Sequence, residues 1–256
     1  MFIDFVESSI NTLFAVLPRA KPNKRLFRQV KLIAHRGAHD SRQQIWENTH
    51  QAFERAEALG CWGIEFDVRS TADGVLVVHH DATLKRLWGF SEAVKDLSYE
   101  ALHALAPEVA TLDDVVCRYG GKLHLFIELK APFDNELELC KTLDILSPVT
   151  DYHLISLDGS LFERLPYFPR ESLLLVPVYN NVFSFCKLSL SKQYGGVLGH
   201  YLLMDQRKIK RLRKAQQEIG VGFVDSKFSL YREVNRGIEW IFTNQAARII
   251  EELRAV

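Results

Sequence analysis

The sequence predicts one (β/α)8 barrel with a small hairpin and loop insertion after the second strand. Eight short apolar runs alternate with amphipathic stretches, and 256 residues suit a barrel built as one domain. A turn signal directly after the second run predicts the hairpin. This alternation favours a closed parallel sheet, and a doubly wound open sheet is the alternative.

Runs rich in β-branched and aliphatic residues mark the strands, and apolar residues at helical spacing mark the helices. The predicted strands are Lys31–His35, Gly63–Val68, Leu123–Leu129, His153–Leu157, Leu173–Val178, Gly196–Tyr201, Val221–Val224 and Trp240–Thr243. The predicted helices are Thr49–Leu59, Leu112–Tyr119, Glu136–Leu146, Ser160–Leu165, Val182–Lys192, Asp205–Ile219, Ser229–Asn235 and Ala246–Arg254.

Two features interrupt the alternation after the second strand. Ala72-Asp73-Gly74 is a turn signal, and Val75–Val78 follows it as a second strand-like run. The segment Ala82–Ala110 then lacks strong periodicity. We expect a hairpin followed by an excursion of the chain over one end of the barrel.

The first 29 residues differ from the rest, so we divide the chain into residues 1–29 and a barrel domain of residues 30–256. Apolar residues recur near helical spacing up to Leu17, Pro18 stops the pattern, and a basic run follows. The segment is too short and too acidic to span a bilayer. Two interpretations stay open: a helix that covers the bottom of the barrel, or peripheral membrane contact through residues 2–28.

Composition excludes some classes of protein. Lys+Arg and Asp+Glu both number 32, so the charge balance does not favour nucleic-acid binding. The four cysteines form no C-x-x-C pair, which argues against a zinc ribbon and favours buried free thiols in a reducing compartment. No basic residue precedes the first apolar stretch, so a secretory signal is not expected. We expect a cytoplasmic protein, with membrane association of the first segment left open.

The ends of the first predicted strands carry most of the unusual polar residues. Barrel enzymes place their functional groups at the carboxyl ends of strands. Charges there are costly unless they are paired or bound to a metal ion. The runs concerned are Ala34-His35-Arg36-Gly37, Glu65-Phe66-Asp67, His79-His80-Asp81 and Glu128-Leu129-Lys130.

Three carboxylates in these runs predict a metal site. Glu65 and Asp67 are two apart on a strand and face the same side, and Glu128 ends the neighbouring strand. Oxygen donors of this kind suit Mg²⁺ or Ca²⁺ rather than zinc. The alternative is a salt-bridged strand end with Arg36 or Lys130 as the partner.

His35 and His80 form the candidate acid–base pair. Imidazole titrates near neutral pH, so one ring can accept a proton while the other donates one. Arg36 and Lys130 are suited to neutralise an anion such as a phosphate group. His79 should face away from His80 and is expected to be structural. Which histidine is the base stays open.

These motifs, in order and spacing over residues 31–130, resemble the glycerophosphodiester phosphodiesterase family. The resembling residues are His35-Arg36-Gly37-Ala38, Glu47-Asn48-Thr49, Glu65-Phe66-Asp67, Asp73-Gly74, Val77-Val78-His79-His80-Asp81, Leu84, Arg86, Thr111-Leu112 and Glu128-Leu129-Lys130. The resemblance implies a barrel fold and a divalent metal, Mg²⁺ or Ca²⁺. It implies small phosphodiester substrates, deacylated glycerophospholipids cleaved to sn-glycerol 3-phosphate and an alcohol.

The resemblance also implies roles for individual residues. It assigns the metal to Glu65, Asp67 and Glu128, catalysis to His35 and His80, and phosphate contacts to Arg36 and Lys130. Glu47 would support Arg36 or the surroundings of the metal.

The sequence departs from the family pattern on the substrate side. The departures are Trp46 in a long loop, Ser156-Leu157, Phe223-Val224-Asp225-Ser226 and Thr243-Asn244. They leave the head group open. One alternative is therefore lysophospholipase D-type cleavage of acylated lysophospholipids, with an apolar channel lined by Trp46, Trp88, Phe90 and the first segment. A second and less favoured alternative is a non-catalytic phosphoester-binding barrel.

Overall fold

The computed structural model describes residues 15–178 and 181–255, and a closed parallel sheet forms the centre of this part. Eight parallel strands pair in sequence around the barrel, and β1 closes it by pairing with both β2 and β9. The strands are β1 Lys31–His35, β2 Gly63–Ser70, β3 Leu76–Val78, β4 His124–Leu129, β5 Tyr152–Ser156, β6 Leu173–Leu175, β7 Gly196–His200, β8 Glu218–Gly222 and β9 Trp240–Thr243. The predicted (β/α)8 barrel is confirmed.

Helices cover the outside of the barrel and bury the outward faces of the strands. The helices are α1 Lys24–Arg28, α2 His50–Leu59, α3 Lys85–Trp88, α4 Tyr99–Leu105, α5 Leu112–Tyr119, α6 Glu136–Leu143, α7 Val182–Lys192, α8 Gln206–Lys214, α9 Lys227–Asn235 and α10 Ala246–Arg254. Because both faces of a parallel strand are covered, strands such as β4 are buried at every residue. The barrel interior is filled by large apolar side chains: Ile33, Phe126, Ile155, Leu174, Leu198, Trp240 and Phe242.

The predicted hairpin and excursion both appear in the structure. β3 pairs antiparallel with β2, so the chain turns back at the carboxyl end of that strand. The excursion that follows has a small core of its own, formed by Val77, Leu84, Val94, Leu102, Ala106 and Val109. This core anchors the hairpin and fixes where its last residues point.

The boundary between α8 and β8 differs from the prediction. The sequence predicted a helix to Ile219 and a strand from Val221, but α8 ends at Lys214 and β8 begins at Glu218. Gln216 adopts a left-handed backbone (φ 57°), which ends the helical path. Gly220 and Gly222 lack the side chains that mark a strand, so the sequence pattern placed this strand too late.

Two further predictions have mixed outcomes. The predicted helix Ser160–Leu165 is a short 3-10 turn over Leu161–Arg164. All four cysteines are free, but only Cys61 and Cys186 are buried and Cys117 is exposed.

Most of the predicted N-terminal helix lies in residues 1–14, outside the described residues. No helix in residues 15–178 and 181–255 is long and apolar enough to cross a membrane.

A hydrogen-bonded pair of histidines lies at the amino-terminal end of the barrel. Nδ1 of His124 lies 3.0 Å from the carbonyl oxygen of Thr150 and therefore donates to it. Nε2 of His124 then accepts from Nδ1 of His153 at 2.7 Å, so the His124 ring is neutral. Burial lowers the pKa of His124 to about 4 and that of His153 to about 3.

We expect this pair to make the protein sensitive to acid. The unfolded chain binds these protons with the ordinary pKa of 6.5, so stability is complete above that pH and falls as pH drops toward the folded values. The expected loss is about 1.4 kcal/mol per pH unit for each ring. Urea unfolding across this range measures it. His153→Phe should flatten the slope, whereas His103→Asn, at an exposed position, should not. A wild-type stability that does not fall with pH would contradict the prediction.

Candidate active site

The carboxyl end of β1 turns sharply and places two predicted site residues over the barrel. Arg36 adopts a left-handed backbone (φ 56°), a costly conformation for a non-glycine residue. Its N–H donates to Oε2 of Glu65 at 3.0 Å, which holds the turn in place. Gly37 follows with φ 77°, and a Cβ there would lie 2.8 Å from Cβ of Ala52 on α2. The turn therefore requires glycine at this position.

Three buried carboxylates meet between β2 and β4. Asp67 is paired in register with Glu128, and Glu65 is paired with His35 of β1. One carboxylate oxygen from each of Glu65, Asp67 and Glu128 lies within 4.8 Å of the other two. The structure therefore brings the three predicted metal ligands together.

The charges in this cluster do not cancel. Burial, followed by repulsion from Asp67, raises the pKa of Glu65 to about 8 and that of Glu128 to about 7. Burial also acts to raise the pKa of Asp67, but Lys130 and Arg36 outweigh it and hold that pKa below its usual value. Nζ of Lys130 lies 2.7 Å from Oδ1 of Asp67 and also contacts Glu128. Three carboxylates thus face two cations.

This arrangement fits a divalent cation. Oε1 of Glu65 is buried and has no hydrogen-bond partner within the part of the chain that the structure describes. A buried carboxylate oxygen without a partner is costly, and a bound cation would satisfy it. Glu65, Asp67 and Glu128 offer only oxygen donors, the type that hard cations prefer. These three residues would hold the metal ion.

His80 lies beside the carboxylates, at the end of the hairpin. Its Nδ1 lies 2.8 Å from Oδ1 of Asp81, and Asp81 also accepts from Nε of Arg86 at 2.5 Å. Arg86 donates to Oε1 of Glu47 at 2.6 Å, and Glu47 accepts from Nη1 of Arg36 at 2.8 Å. Glu47 therefore links the loop that carries Arg36 to the hairpin, and it contacts Arg36 rather than the carboxylate cluster.

His79 faces the other side of the hairpin. Its ring is buried, with Nε2 lying 3.1 Å from the carbonyl oxygen of Thr83. Its backbone N–H donates to the carbonyl of Asp67 at 2.9 Å. The ring ties the hairpin to the following loop and does not reach the cluster.

His35 completes the site from β1. Its Nε2 lies 3.6 Å from Oε2 of Glu65, and its Nδ1 lies 2.7 Å from Oδ1 of Asn244, which directly follows β9. Burial is the largest cause lowering the pKa of His35 and that of His80, and at His80 the carboxylates of Asp67 and Asp81 act in the opposite direction.

The residues of this site match a known protein family. The family model described as the Glycerophosphoryl diester phosphodiesterase family matches residues 35–153, which include the residues of the carboxylate cluster and both candidate histidines. A glycerophosphodiester phosphodiesterase of Caldanaerobacter subterraneus is 49% identical over 74 residues. The part of the chain that carries the site therefore matches the glycerophosphodiester phosphodiesterase family.

The matches to curated and solved family members differ in extent. The Caldanaerobacter alignment covers 29% of this chain and 29% of that relative, so it spans less than a third of the relative's length. A glycerophosphodiester phosphodiesterase structure from Thermotoga maritima is 23% identical with a TM-score of 0.72, covering 87% of this chain and 97% of that one. An Oleispira antarctica phosphodiesterase in complex with sn-glycerol-3-phosphate is 18% identical, also with a TM-score of 0.72, covering 90% and 99%. At these identities the structural likeness establishes the shared fold.

The cavity above the family's polar residues has two unlike walls. It encloses about 280 Å³, and its polar wall is formed by His35, Arg36, Glu65, His80, Glu128 and Lys130. The residues of the apolar wall all lie beyond the matched region: Ile155, Leu157, Val176, Pro177, Val178, Leu198, Leu203, Phe223 and Phe242. Trp46, Trp88 and Phe90, which the sequence suggested for an apolar channel, do not line it. His200 lies on the apolar side.

Sequence reasoning assigned no role to three residues that contact the site. Asn48 donates from Nδ2 to Oδ2 of Asp67 at 2.8 Å, and its left-handed backbone (φ 60°) suits asparagine. Asn244 contacts His35, and Asp225 contacts Asn244. Asn48 lies in the Glu47-Asn48-Thr49 motif, which could have indicated it. Asp225 and Asn244 were visible only as departures from the family pattern.

Proposed function

We propose that this protein hydrolyses glycerophosphodiesters to sn-glycerol 3-phosphate and an alcohol. The observation that carries the proposal is the convergence of three kinds of group on one cavity. A carboxylate cluster fits a divalent cation, Arg36 and Lys130 offer positive charge to a phosphate, and His35 and His80 offer two imidazoles. The product in the Oleispira phosphodiesterase complex, sn-glycerol-3-phosphate, supports this choice of substrate class.

We further propose Mg²⁺ or Ca²⁺ as the metal. When bound by Glu65, Asp67 and Glu128, such an ion would act as a Lewis acid toward a phosphate oxygen. Arg36 and Lys130 would bind the remaining phosphate oxygens and draw off charge that develops in the transition state. The apolar wall would exclude water from that side of a bound phosphate.

The two histidines would carry the protons of the reaction. One takes the proton of the attacking hydroxyl as the new P–O bond forms, and the other donates a proton to the leaving alkoxide as the old P–O bond breaks. The nucleophile is water or the substrate's own glycerol hydroxyl, and the second route passes through a cyclic phosphate that water then opens. Either route balances as hydrolysis of one phosphodiester bond.

Metal removal gives the first test. We expect EDTA to abolish turnover of glycerophosphocholine and Mg²⁺ or Ca²⁺ to restore it, because Lys130 and Arg36 alone do not balance the three carboxylates. Release of glycerol 3-phosphate measures the activity. Full activity after exhaustive chelation would contradict the proposal.

A substrate panel tests the substrate class. Glycerophosphocholine and glycerophosphoethanolamine should be cleaved, and acylated lysophosphatidylcholine should be cleaved more slowly. Faster cleavage of the lysolipid would instead support the lysophospholipase D alternative. Tight binding of glycerol 3-phosphate without turnover of any diester, with each metal, would support a non-catalytic barrel.

We also propose that residues 30–256 form the barrel domain and residues 1–29 a separate covering segment of a cytoplasmic protein. In the described part of that segment, Asn235 of α9 donates to the carbonyl of Ala20 at 2.8 Å. Phe27 of α1 is buried with its ring 5.7 Å from that of Tyr231. These contacts support a cover over α9. Peripheral membrane contact through residues 2–28 stays a prediction.

A further inference from the structure

The loop that follows β9 contacts the ring of His35 on the side away from the carboxylate cluster. Nδ1 faces Oδ1 of Asn244 at 2.7 Å, while Nε2 faces the carboxylate cluster. In a neutral imidazole one nitrogen carries hydrogen and the other accepts it. Whether Asn244 presents its oxygen or its amino group to Nδ1 therefore decides which nitrogen faces the substrate as an acceptor.

Asp225 determines how Asn244 is oriented. Oδ1 of Asp225 accepts from the hydroxyl of Thr243 at 2.7 Å and from the backbone N–H of Asn244 at 2.8 Å. Its other oxygen lies 3.4 Å from Nδ2 of Asn244. A carboxylate can only accept, so the amino group faces Asp225 and the amide oxygen faces His35. The reversed amide would place two oxygens against each other.

We propose that Asp225 and Asn244 are positioning residues that hold neutral His35 as its Nδ1–H tautomer. Its Nε2 then faces the site as a proton acceptor, which makes His35 the base of the proposed reaction. This inference rests on the proposed function. His80 becomes the acid, and Asp81, 2.8 Å from its Nδ1, stabilises the ring when it carries the proton.

The proton balance follows from this assignment. The nucleophile gives its proton to Nε2 of His35 as it bonds to phosphorus. His80 enters the step as an imidazolium with its Nδ1–H on Asp81, and the leaving oxygen takes the proton of its Nε2 as the bond to phosphorus breaks. Exchange with water then returns each ring to its starting state, so no further reactant is needed.

The tautomer can be measured directly. In ¹⁵N-labelled protein with Mg²⁺ at mildly alkaline pH, long-range ¹H–¹⁵N spectra distinguish a protonated from an unprotonated ring nitrogen. The His35 signals are assigned by their loss in His35→Gln. We expect wild-type His35 to be protonated at Nδ1. Asn244→Leu removes the acceptor and should shift the ring toward the Nε2–H form. A wild-type ring protonated at Nε2 would overturn the proposal.

A swapped pair separates positioning from simple packing. Asp225→Asn alone should yield mixed tautomers, because Asn244 can then present either end of its amide. Combining Asp225→Asn with Asn244→Asp should restore the Nδ1–H form, since a carboxylate opposite Nδ1 only accepts. His39 also interacts with Asn244, so His39→Gln is a control that should leave the His35 tautomer unchanged. Gln245→Ala, an exposed change in the same loop, is a second control. Melting temperatures confirm that each variant folds.

Kinetics give an independent reading. Asn244→Leu should lower kcat about 10-fold to 10²-fold, less than loss of the base itself, with KM changed by no more than about twofold. The swapped pair should recover most of that loss. An Asn244→Leu protein with the Nδ1–H tautomer and full kcat would overturn the positioning role. A wild-type protein that shows the expected tautomers but cleaves no phosphodiester would overturn the proposed function and leave the positioning of His35 standing.

Discussion

Glu65→Gln is expected to abolish activity while the protein stays folded. The substitution removes one of three negative ligands, so the remaining pair should bind a divalent cation much more weakly. We expect kcat/KM to fall by at least about 10³-fold, equivalent to about 4 kcal/mol of transition-state stabilisation. The amide oxygen of glutamine can still accept from the N–H of Arg36, which preserves the turn after β1.

The stability of the Glu65→Gln variant should not fall with its activity. In the absence of metal, burial and Asp67 raise the pKa of Glu65, so its charged form is unfavourable in the folded protein. A neutral side chain removes that repulsion. We therefore expect the free energy of unfolding in EDTA to be unchanged or higher. Glu57→Gln, on the exposed side of α2, is the matched control and should alter neither property.

Calorimetric titration of Mg²⁺ and Ca²⁺ separates a loss of metal from a loss of fold. Glu65→Gln should show weakened binding together with a normal urea transition. Wild-type affinity for both ions combined with lost activity would show that Glu65 acts in another way. Retention of full activity would remove it from the site altogether.

The second large effect concerns the two histidines. His35→Ala and His80→Ala should each lower kcat about 10²-fold to 10⁴-fold, because each removes one of the two proton transfers. The double variant should lose less than the product of the single losses, since the two groups act in one step. KM should change little in either single variant. Steady-state kinetics with glycerophosphocholine measures all three.

A matched histidine on the surface controls for general effects. His103→Ala, at an exposed position on α4, should retain wild-type kcat. If His80→Ala were active while His79→Ala were inactive but folded, the assignment within the hairpin would be wrong. Losses in His35→Ala and His80→Ala that simply multiply would show that the two rings act in separate steps.

Most of the barrel could be predicted because its elements are marked locally. β1, β9, α5, α7 and α10 begin and end where the sequence places them. For α5 the signal is the cap, since Oγ1 of Thr111 accepts from the N–H of Asp114 at 3.1 Å. β8 could not be placed in the same way, because Gly220 and Gly222 contribute no side chains to a strand pattern.

The residues of the site likewise fall into those that local sequence marks and those that only the fold brings together. The polar residues at the ends of β1, β2 and β4 stand out because charge inside a strand is rarely tolerated without a partner. Asn244 gives no such signal, and it reaches His35 across 209 positions of sequence only because β9 closes the barrel against β1. The apolar wall has the same origin, since residues such as Leu157 and Phe223 line one cavity only in the closed barrel.

³¹P nuclear magnetic resonance of the wild-type protein with Mg²⁺ and glycerophosphocholine tests the central claim most directly. The phosphodiester signal should disappear while the phosphomonoester signal of glycerol 3-phosphate grows in equal amount. EDTA should stop the conversion, and Glu65→Gln should not support it. A phosphodiester signal that stays constant with Mg²⁺ and with Ca²⁺, for this substrate and for its ethanolamine counterpart, would contradict the proposed function.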